Sequence, residues 1–255
     1  MRAMRFTRRR FGAVLTGALA SFAFGGACHG SQSAGTSNGR IAARPRTASR
    51  TSGSGSRPLG LGGSRDAILQ LPAKPSTSPL PLLVLLHGAG GSAAGILRRL
   101  GTAAEDAGVA VLAPDSRDTS WDAIGGDLGP DVVFLNRALE RVFETTSVDP
   151  ARVSVGGFSD GASYALTLGL INGDLFRRVV AFSPGFVVPG DPHGKARFFV
   201  SHGTRDEILP IDRCSRRIVP ALQKAGYDVT FREFDGGHTV PPDIAKEGML
   251  WAAQS

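Results

Sequence analysis

The chain has 255 residues, with 29 Lys and Arg against 22 Asp and Glu, a formal charge of +7. That excess points to a nucleic-acid partner only if it covers the folded part. It does not: residues 1–58 hold ten Arg and no acid, while residues 59–255 hold 19 basic and 22 acidic residues, a net −3. No nucleic-acid partner is expected. A hydrophobic content of 42% with 20% charged residues excludes a wholly disordered chain, and no apolar run reaches the roughly 18–20 residues of a membrane-spanning helix.

Residues 1–27 have the layout of an export signal: a basic start, the apolar stretch Phe11–Phe24, then Gly25, Gly26 and Ala27. Thr7-Arg8-Arg9-Arg10-Phe11 resembles the twin-arginine export motif; a generic secretory signal rich in Arg is the alternative. Cleavage after Ala27 would leave Cys28 first, a candidate lipidation site that would tether the chain to a membrane. An ordinary cleavage site beside an incidental Cys fits equally well. The expected location is therefore outside the cytoplasm of a bacterium: periplasmic, secreted or membrane-anchored. A Cys28–Cys214 disulfide is not expected, because Cys28 stands in a leader. Residues 28–58 are rich in Ser, Gly, Thr, Ala and Arg and poor in large apolar residues, so they read as a flexible linker. The folded domain is expected over residues 59–255.

Within that domain, strands and helices alternate. Ala67–Leu71 is a short apolar run ended by Pro72. Pro81–Leu86 is a continuous apolar run ended by Gly88, as in a strand buried on both faces. Ser92 can cap a helix through about Ala107, and Val109–Leu112 is the next strand. Asp131–Thr145 has helical spacing through Val132, Leu135, Leu139 and Val142. Val153–Val155 is a strand, Ala162–Ile171 a helix, and Val179–Phe182, Phe198–Val200 and Val229–Phe231 are further strands. Helices fill Arg213–Ala225 and Pro242–Ala252, the last with Pro at its start. Repeated strand then helix predicts an α/β fold, a mostly parallel central sheet with helices on both faces and little or no cap domain. Function in such sheets sits at the carboxyl ends of the strands.

Four strand ends carry chemistry. Gly157-Phe158-Ser159-Asp160-Gly161 places G-x-S-x-G between a strand and a helix, where a strained turn thrusts the Ser hydroxyl into a cleft. His87-Gly88-Ala89-Gly90-Gly91 follows the strand Pro81–Leu86. It lacks the Lys of a phosphate-binding loop and suits an oxyanion hole. Its donor is Ala89, with Gly88 and Gly90 as alternatives; the second backbone N–H is that of Asp160. His87 shapes the loop. Ser201-His202-Gly203-Thr204-Arg205-Asp206 ends a strand and offers Asp206, with Glu207 as a neighbouring competitor. Gly236-Gly237-His238 lies before the last helix and offers His238 as base. Trp121 and Phe158, with Phe186, are candidates to line a substrate pocket, core contacts being the alternative. The chain has no C-x-x-C or H-E-x-x-H, so neither a metal nor an organic cofactor is expected.

The order Ser159, Asp206, His238 is that of the α/β-hydrolases. The domain resembles that superfamily, and within it the phospholipase/carboxylesterase group and its relatives near dienelactone hydrolase and polyhydroxybutyrate-depolymerase-like esterases. The carrying residues are Leu86-His87-Gly88, Val148-Asp149-Pro150-Ala151-Arg152-Val153, Gly157-Phe158-Ser159-Asp160-Gly161-Ala162, His202-Gly203-Thr204-Arg205-Asp206 and Gly237-His238. The resemblance implies Ser159 as nucleophile, His238 as base and Asp206, rather than Glu207, as its orienter. One departure stands out: Asp160 occupies a position where many of these carboxylesterases have Gln. The expected activity is hydrolysis of a small-molecule carboxylic ester through an acyl-enzyme. The alternatives are a peptidase or amidase of the same fold and a non-catalytic surface lipoprotein that binds.

Overall fold

The computed structural model describes residues 38–46, 53–74, 76–125 and 128–254. The expected export signal and Cys28 lie outside the described residues. Eight strands form one sheet in the order β1-β2-β4-β3-β5-β6-β7-β8. They are β1 Gly55–Pro58, β2 Ala67–Leu71, β3 Leu80–Leu86, β4 Ala110–Pro114, β5 Val148–Phe158, β6 Arg178–Phe182, β7 Arg197–Gly203 and β8 Val229–Phe234. The pairs β1–β2 and β2–β4 are antiparallel; every pair from β4 through β3 to β8 is parallel. This is the α/β-hydrolase architecture, and among the described residues no insertion forms a cap over it.

Strand alternation divides the core in two. Leu82, Val84, Leu86, Val153, Val155, Phe198 and Val200 face one side, where α3 Pro130–Thr145, α4 Asp160–Ile171 and α5 Ser215–Lys224 pack. Leu83, Leu85, Val111, Val180, Phe182 and Phe199 face the other, against α1 Ala93–Leu100, α2 Ala103–Asp106 and α6 Pro242–Ala252. Helix α4 is buried along all twelve residues, so it has no solvent-facing polar stripe, and Ser163 and Thr167 within it are buried as well.

Two expectations need correction. The single helix expected from Ser92 to Ala107 is two. Ser92 does cap α1 by accepting from the Gly95 N–H, but Gly101 turns to φ 55° and ends it. A side chain at that φ would be strained, so glycine is a natural stop. The flexible linker expected over 28–58 is ordered in two places. Gly55–Pro58 forms the edge strand β1 against β2. Residues 38–46 lie along α3 and the end of α4, with Ile41 and Ala43 buried. Asn172 Oδ1 accepts from the Ile41 N–H at 2.9 Å, and Asn136 Oδ1 accepts from the N–H groups of Ala42 and Ala43. Arg40 and Arg44 both pair with Asp174. Neither piece carries an apolar run. Both are held by backbone hydrogen bonds to partners remote in sequence.

Candidate active site

The carboxyl ends of β3, β5, β7 and β8 share one end of the sheet, with β6 between β5 and β7, so the four chemically marked loops converge. Only Ser159 separates β5 from α4. Its backbone stands at φ 59° and ψ −120°, a conformation that non-glycine residues rarely adopt. The Ser159 N–H donates to Phe182 O at 2.9 Å and holds the turn to β6. The flanking glycines are required by space. A Cβ on Gly157 would meet the Gly161 carbonyl at 2.5 Å, and one on Gly161 would meet the carbonyl oxygens of Leu86 and His87 at 2.4 Å.

His238 comes from the loop between β8 and α6. Its Nε2 lies 2.9 Å from Ser159 Oγ and its Nδ1 2.6 Å from Asp206 Oδ2. Gly203 makes that reach feasible, since a Cβ there would meet the carbonyl oxygens of Gly236 and Gly237 at 2.4 Å. Asp206 is fixed at both oxygens. Oδ1 accepts from the N–H groups of Ile208 and Leu209 at 3.0 and 2.8 Å, while Oδ2 faces His238. A carboxylate so placed keeps Nδ1 protonated and leaves Nε2 to accept from the Ser hydroxyl. Glu207 is exposed and takes no part. The three residues picked from the sequence are thus brought together in one hydrogen-bonded line.

The loop expected to hold an oxyanion, His87 to Gly91, lies beside Ser159. Gly88 lies against the nucleophile, with its would-be Cβ 3.3 Å from Ser159 Cβ. The Gly90 N–H donates to Thr119 O and the Gly91 N–H to Gly88 O, which commits both and leaves the donor role to Ala89 or Gly88. The Asp160 N–H opens α4, where no preceding turn supplies an acceptor. His87 shapes this loop. Its Nδ1–H donates to Gly88 O at 2.7 Å, and its Nε2 accepts from the Ser116 N–H at 3.0 Å. Burial lowers its pKa and favours the neutral ring that this pattern needs.

Asp160 is an unusual neighbour for a nucleophile, and its side chain turns away from it. Oδ2 accepts from the Ser120 hydroxyl and from the Trp121 N–H at 3.4 Å. Burial raises the pKa of this carboxyl, and the Ser120 contact opposes the rise. Of the two readings of Trp121, pocket lining and core contact, the structure has the core contact. The side chain is buried, stacks on Tyr164 at 5.2 Å, and donates its indole N–H to His87 O at 2.8 Å. It braces the oxyanion loop from behind. Phe158 does reach the site, though as a wall: its ring lies 4.7 Å from that of His238 and carries the Arg99 guanidinium 4.4 Å from its centre. Phe186 is half-buried, and its N–H faces Ser163 Oγ at 3.4 Å.

Sequence reasoning missed His202, which was placed merely beside a strand. Its Nε2 lies 3.2 Å from Asp206 Oδ2 and 2.7 Å from Leu209 O. The available signal was a polar Ser-His pair ending an otherwise apolar strand. Among the described residues, no group of three His, Cys, Asp or Glu side chains could hold a metal ion. A cavity of about 890 Å³ lies at the opposite end of the sheet, lined by Pro72, Pro79, Glu105, Arg152 and Ala253 among others. It is remote from this chemistry.

Comparison with known proteins agrees with the geometry. A family model described as Phospholipase/Carboxylesterase matches residues 136–247, which span Ser159, Asp206 and His238. The chain is 32% identical over 155 residues to "Putative esterase NocK" of Nocardia uniformis subsp. tsuyamanensis, covering 56% of this chain and 44% of that one. It is 28% identical over 96 residues to acyl-protein thioesterase 1 of Emericella nidulans, covering 34% and 40%. The chain therefore spans less than half the length of these curated relatives. Among solved structures, an S-formylglutathione hydrolase from Staphylococcus aureus superposes with a TM-score of 0.65 at 17% identity, covering 81% of this chain and all of that one. At that identity the likeness establishes the fold.

Proposed function

We propose that the chain, which has the α/β-hydrolase fold and matches the Phospholipase/Carboxylesterase model over residues 136–247, is a serine hydrolase of carboxylic esters acting through an acyl-enzyme on Ser159. The observation that carries this reading is His238, which bridges Ser159 Oγ at 2.9 Å and Asp206 at 2.6 Å beside a strained nucleophile. His238 takes the Ser159 proton as Oγ attacks the ester carbonyl. The N–H groups of Asp160 and of Ala89 or Gly88 hold the oxyanion. His238 then returns the proton to the leaving alcohol, and water repeats the cycle on the acyl-enzyme. Asp206 steadies the imidazolium that forms between the two proton transfers.

The absence of a cap among the described residues favours small or extended esters over a lipid sequestered under a lid. Thioesters follow the same steps, and the acyl-protein thioesterase relatives make them the natural second arm of a substrate panel. The leader and Cys28 support an exported enzyme. Mass spectrometry of the mature N-terminus tests that, with cleavage before Cys28 expected. The activity is tested with p-nitrophenyl esters and a fluorophosphonate probe. Ser159→Ala is expected to lose at least about 10³-fold in kcat and all labelling. A variant that keeps its activity would remove Ser159 from the mechanism.

A further inference from the structure

Strand alternation puts Phe198, Val200 and His202 of β7 on one face, towards α5. Phe198 and Val200 are ordinary core residues. His202 is equally buried, at 0% exposure, yet it is an imidazole with two polar atoms. Both are matched, and the partners fix where its hydrogen sits. Leu209 O can only accept, so Nε2 carries the hydrogen and donates it there at 2.7 Å, with Asp206 Oδ2 a further contact at 3.2 Å. Nδ1, 2.7 Å from Ser215 Oγ, is then a bare acceptor, and the Ser215 hydroxyl donates to it. Burial lowers the pKa of His202, which favours the neutral ring that this assignment requires.

We infer that His202 is a positioning residue for the catalytic line, which runs beyond Asp206 to Ser215. Asp206 Oδ2 sits between two imidazoles, His238 at 2.6 Å and His202 at 3.2 Å, while Oδ1 takes two backbone N–H groups. Three hydrogen bonds, with the His202 ring edge packed against Oδ2, hold the carboxylate against rotation about its last bond. Ser215 is the first residue of α5, so the line is anchored on a helix rather than on a loop. The polar Nε2–H edge of His202, 3.2 Å from Oδ2, backs that oxygen and keeps it aimed at His238. Its kinetic consequence rests on the esterase reading; the hydrogen-bond geometry does not.

The test compares His202→Gln with His202→Asn in the full chain. Gln can place an amide N–H near the position of Nε2, whereas Asn reaches only the position of Nδ1. His202→Asn is expected to lower kcat about 10–100-fold, with KM within twofold, the scale of one hydrogen bond to a charged group. His202→Gln is expected to recover most of that loss. The proton between His238 Nδ1 and Asp206 should give a far-downfield NMR resonance that His202→Gln retains and His202→Asn loses or shifts. Ser215→Ala barely changes the core volume and should give a smaller fall in kcat; it carries the test if His202→Asn does not fold. Wild-type kcat and resonance in His202→Asn, or an equal loss in both His202 variants, would overturn the inference. If the wild type neither cleaves esters nor takes the fluorophosphonate, the esterase reading fails, and the downfield resonance still decides the role of His202.

Discussion

Helix α4 is buried from end to end, but its two ends are built differently. At its N-terminus stand a strained Ser159 and the buried carboxyl of Asp160, whose pKa burial raises. In the first turn of α3, at the same end of the sheet, Asp131 is buried as well, and its pKa is pushed up to about 6. At the C-terminus the polar groups are matched. Asn172 accepts from the Ile41 N–H and donates to the carbonyl oxygens of Gly39 and Leu168. Asp174 takes Arg40 and Arg44 together, and the Arg40 hydrogen bonds hold its carboxyl well below the usual range. One end keeps a strained backbone and buried carboxyls in unfavourable states. The other adds well-paired contacts that offset the cost, and the segment expected to be a loose tether supplies half of them.

The largest effect should come from crowding the site end. Gly161→Ala would place a methyl 2.4 Å from two backbone carbonyl oxygens that cannot swing aside. A loss of at least about 3 kcal/mol in stability is expected, together with loss of fluorophosphonate labelling. Urea unfolding measures it, and a wild-type midpoint would show that the elbow is looser than the distances imply. The far end should behave otherwise. Asn172→Leu strands the Ile41 N–H and the Gly39 carbonyl, and about 2–3 kcal/mol should be lost. Esterase activity per folded molecule should stay within twofold well below the melting temperature. A large kcat loss there would mean that the two ends are coupled through α4.

The same contrast sets opposite responses to pH. Asp131 has its folded pKa raised from 3.8 to about 6, so it holds its proton more tightly folded than unfolded. Its contribution to stability is present below about pH 4 and declines as pH rises to about 6. Asp174 has its folded pKa lowered, chiefly by the Arg40 hydrogen bonds. Its contribution is present above the unfolded value of 3.8 and is lost as the solution becomes more acid than that. Its side chain is about a third exposed, at 35%, so the effect is modest and fades with salt. Melting curves from pH 7 to pH 3 separate the two: Asp131→Asn should flatten the slope between pH 4 and 6, and Asp174→Asn the loss below pH 4. A slope unchanged in both variants would locate the pH dependence elsewhere.

What could be read in advance follows the same division. The site end was legible because its chemistry is local: Gly157 to Gly161 states its own turn, and Asp206 and His238 each follow a recognisable apolar strand. Its supporting groups were less so. Trp121 looks like a pocket aromatic until its indole N–H is seen at His87 O, and His202 looks like a strand end until Asp206 folds back onto it. The far end left no local trace. Residues 38–46 are short of large apolar side chains, and what holds them is Asn136, Asn172 and Asp174, some 90 to 134 positions away. β1 is likewise a polar edge whose pairing is supplied by β2. Periodicity reports burial of side chains; it is silent about a backbone bound by a distant amide.

The smallest expected effect probes the strain directly. Ser159→Ala and Ser159→Gly both remove the nucleophile and its hydrogen bond to His238, so both should be inactive and share that loss. They differ in the backbone. Alanine must still adopt φ 59° with a Cβ, at a cost of about 1–3 kcal/mol. Glycine adopts it freely but gives up about 0.5–1 kcal/mol through the entropy of the unfolded chain. Glycine at 159 should therefore be more stable than alanine by about 1 kcal/mol, the reverse of their usual order in regular structure. Denaturation midpoints of the two inactive variants measure the difference with catalysis and the Ser159 hydroxyl removed from both sides. Alanine equal to or above glycine would mean that the turn carries no stored strain, and that the difference between the two ends of α4 lies in their buried carboxyls alone.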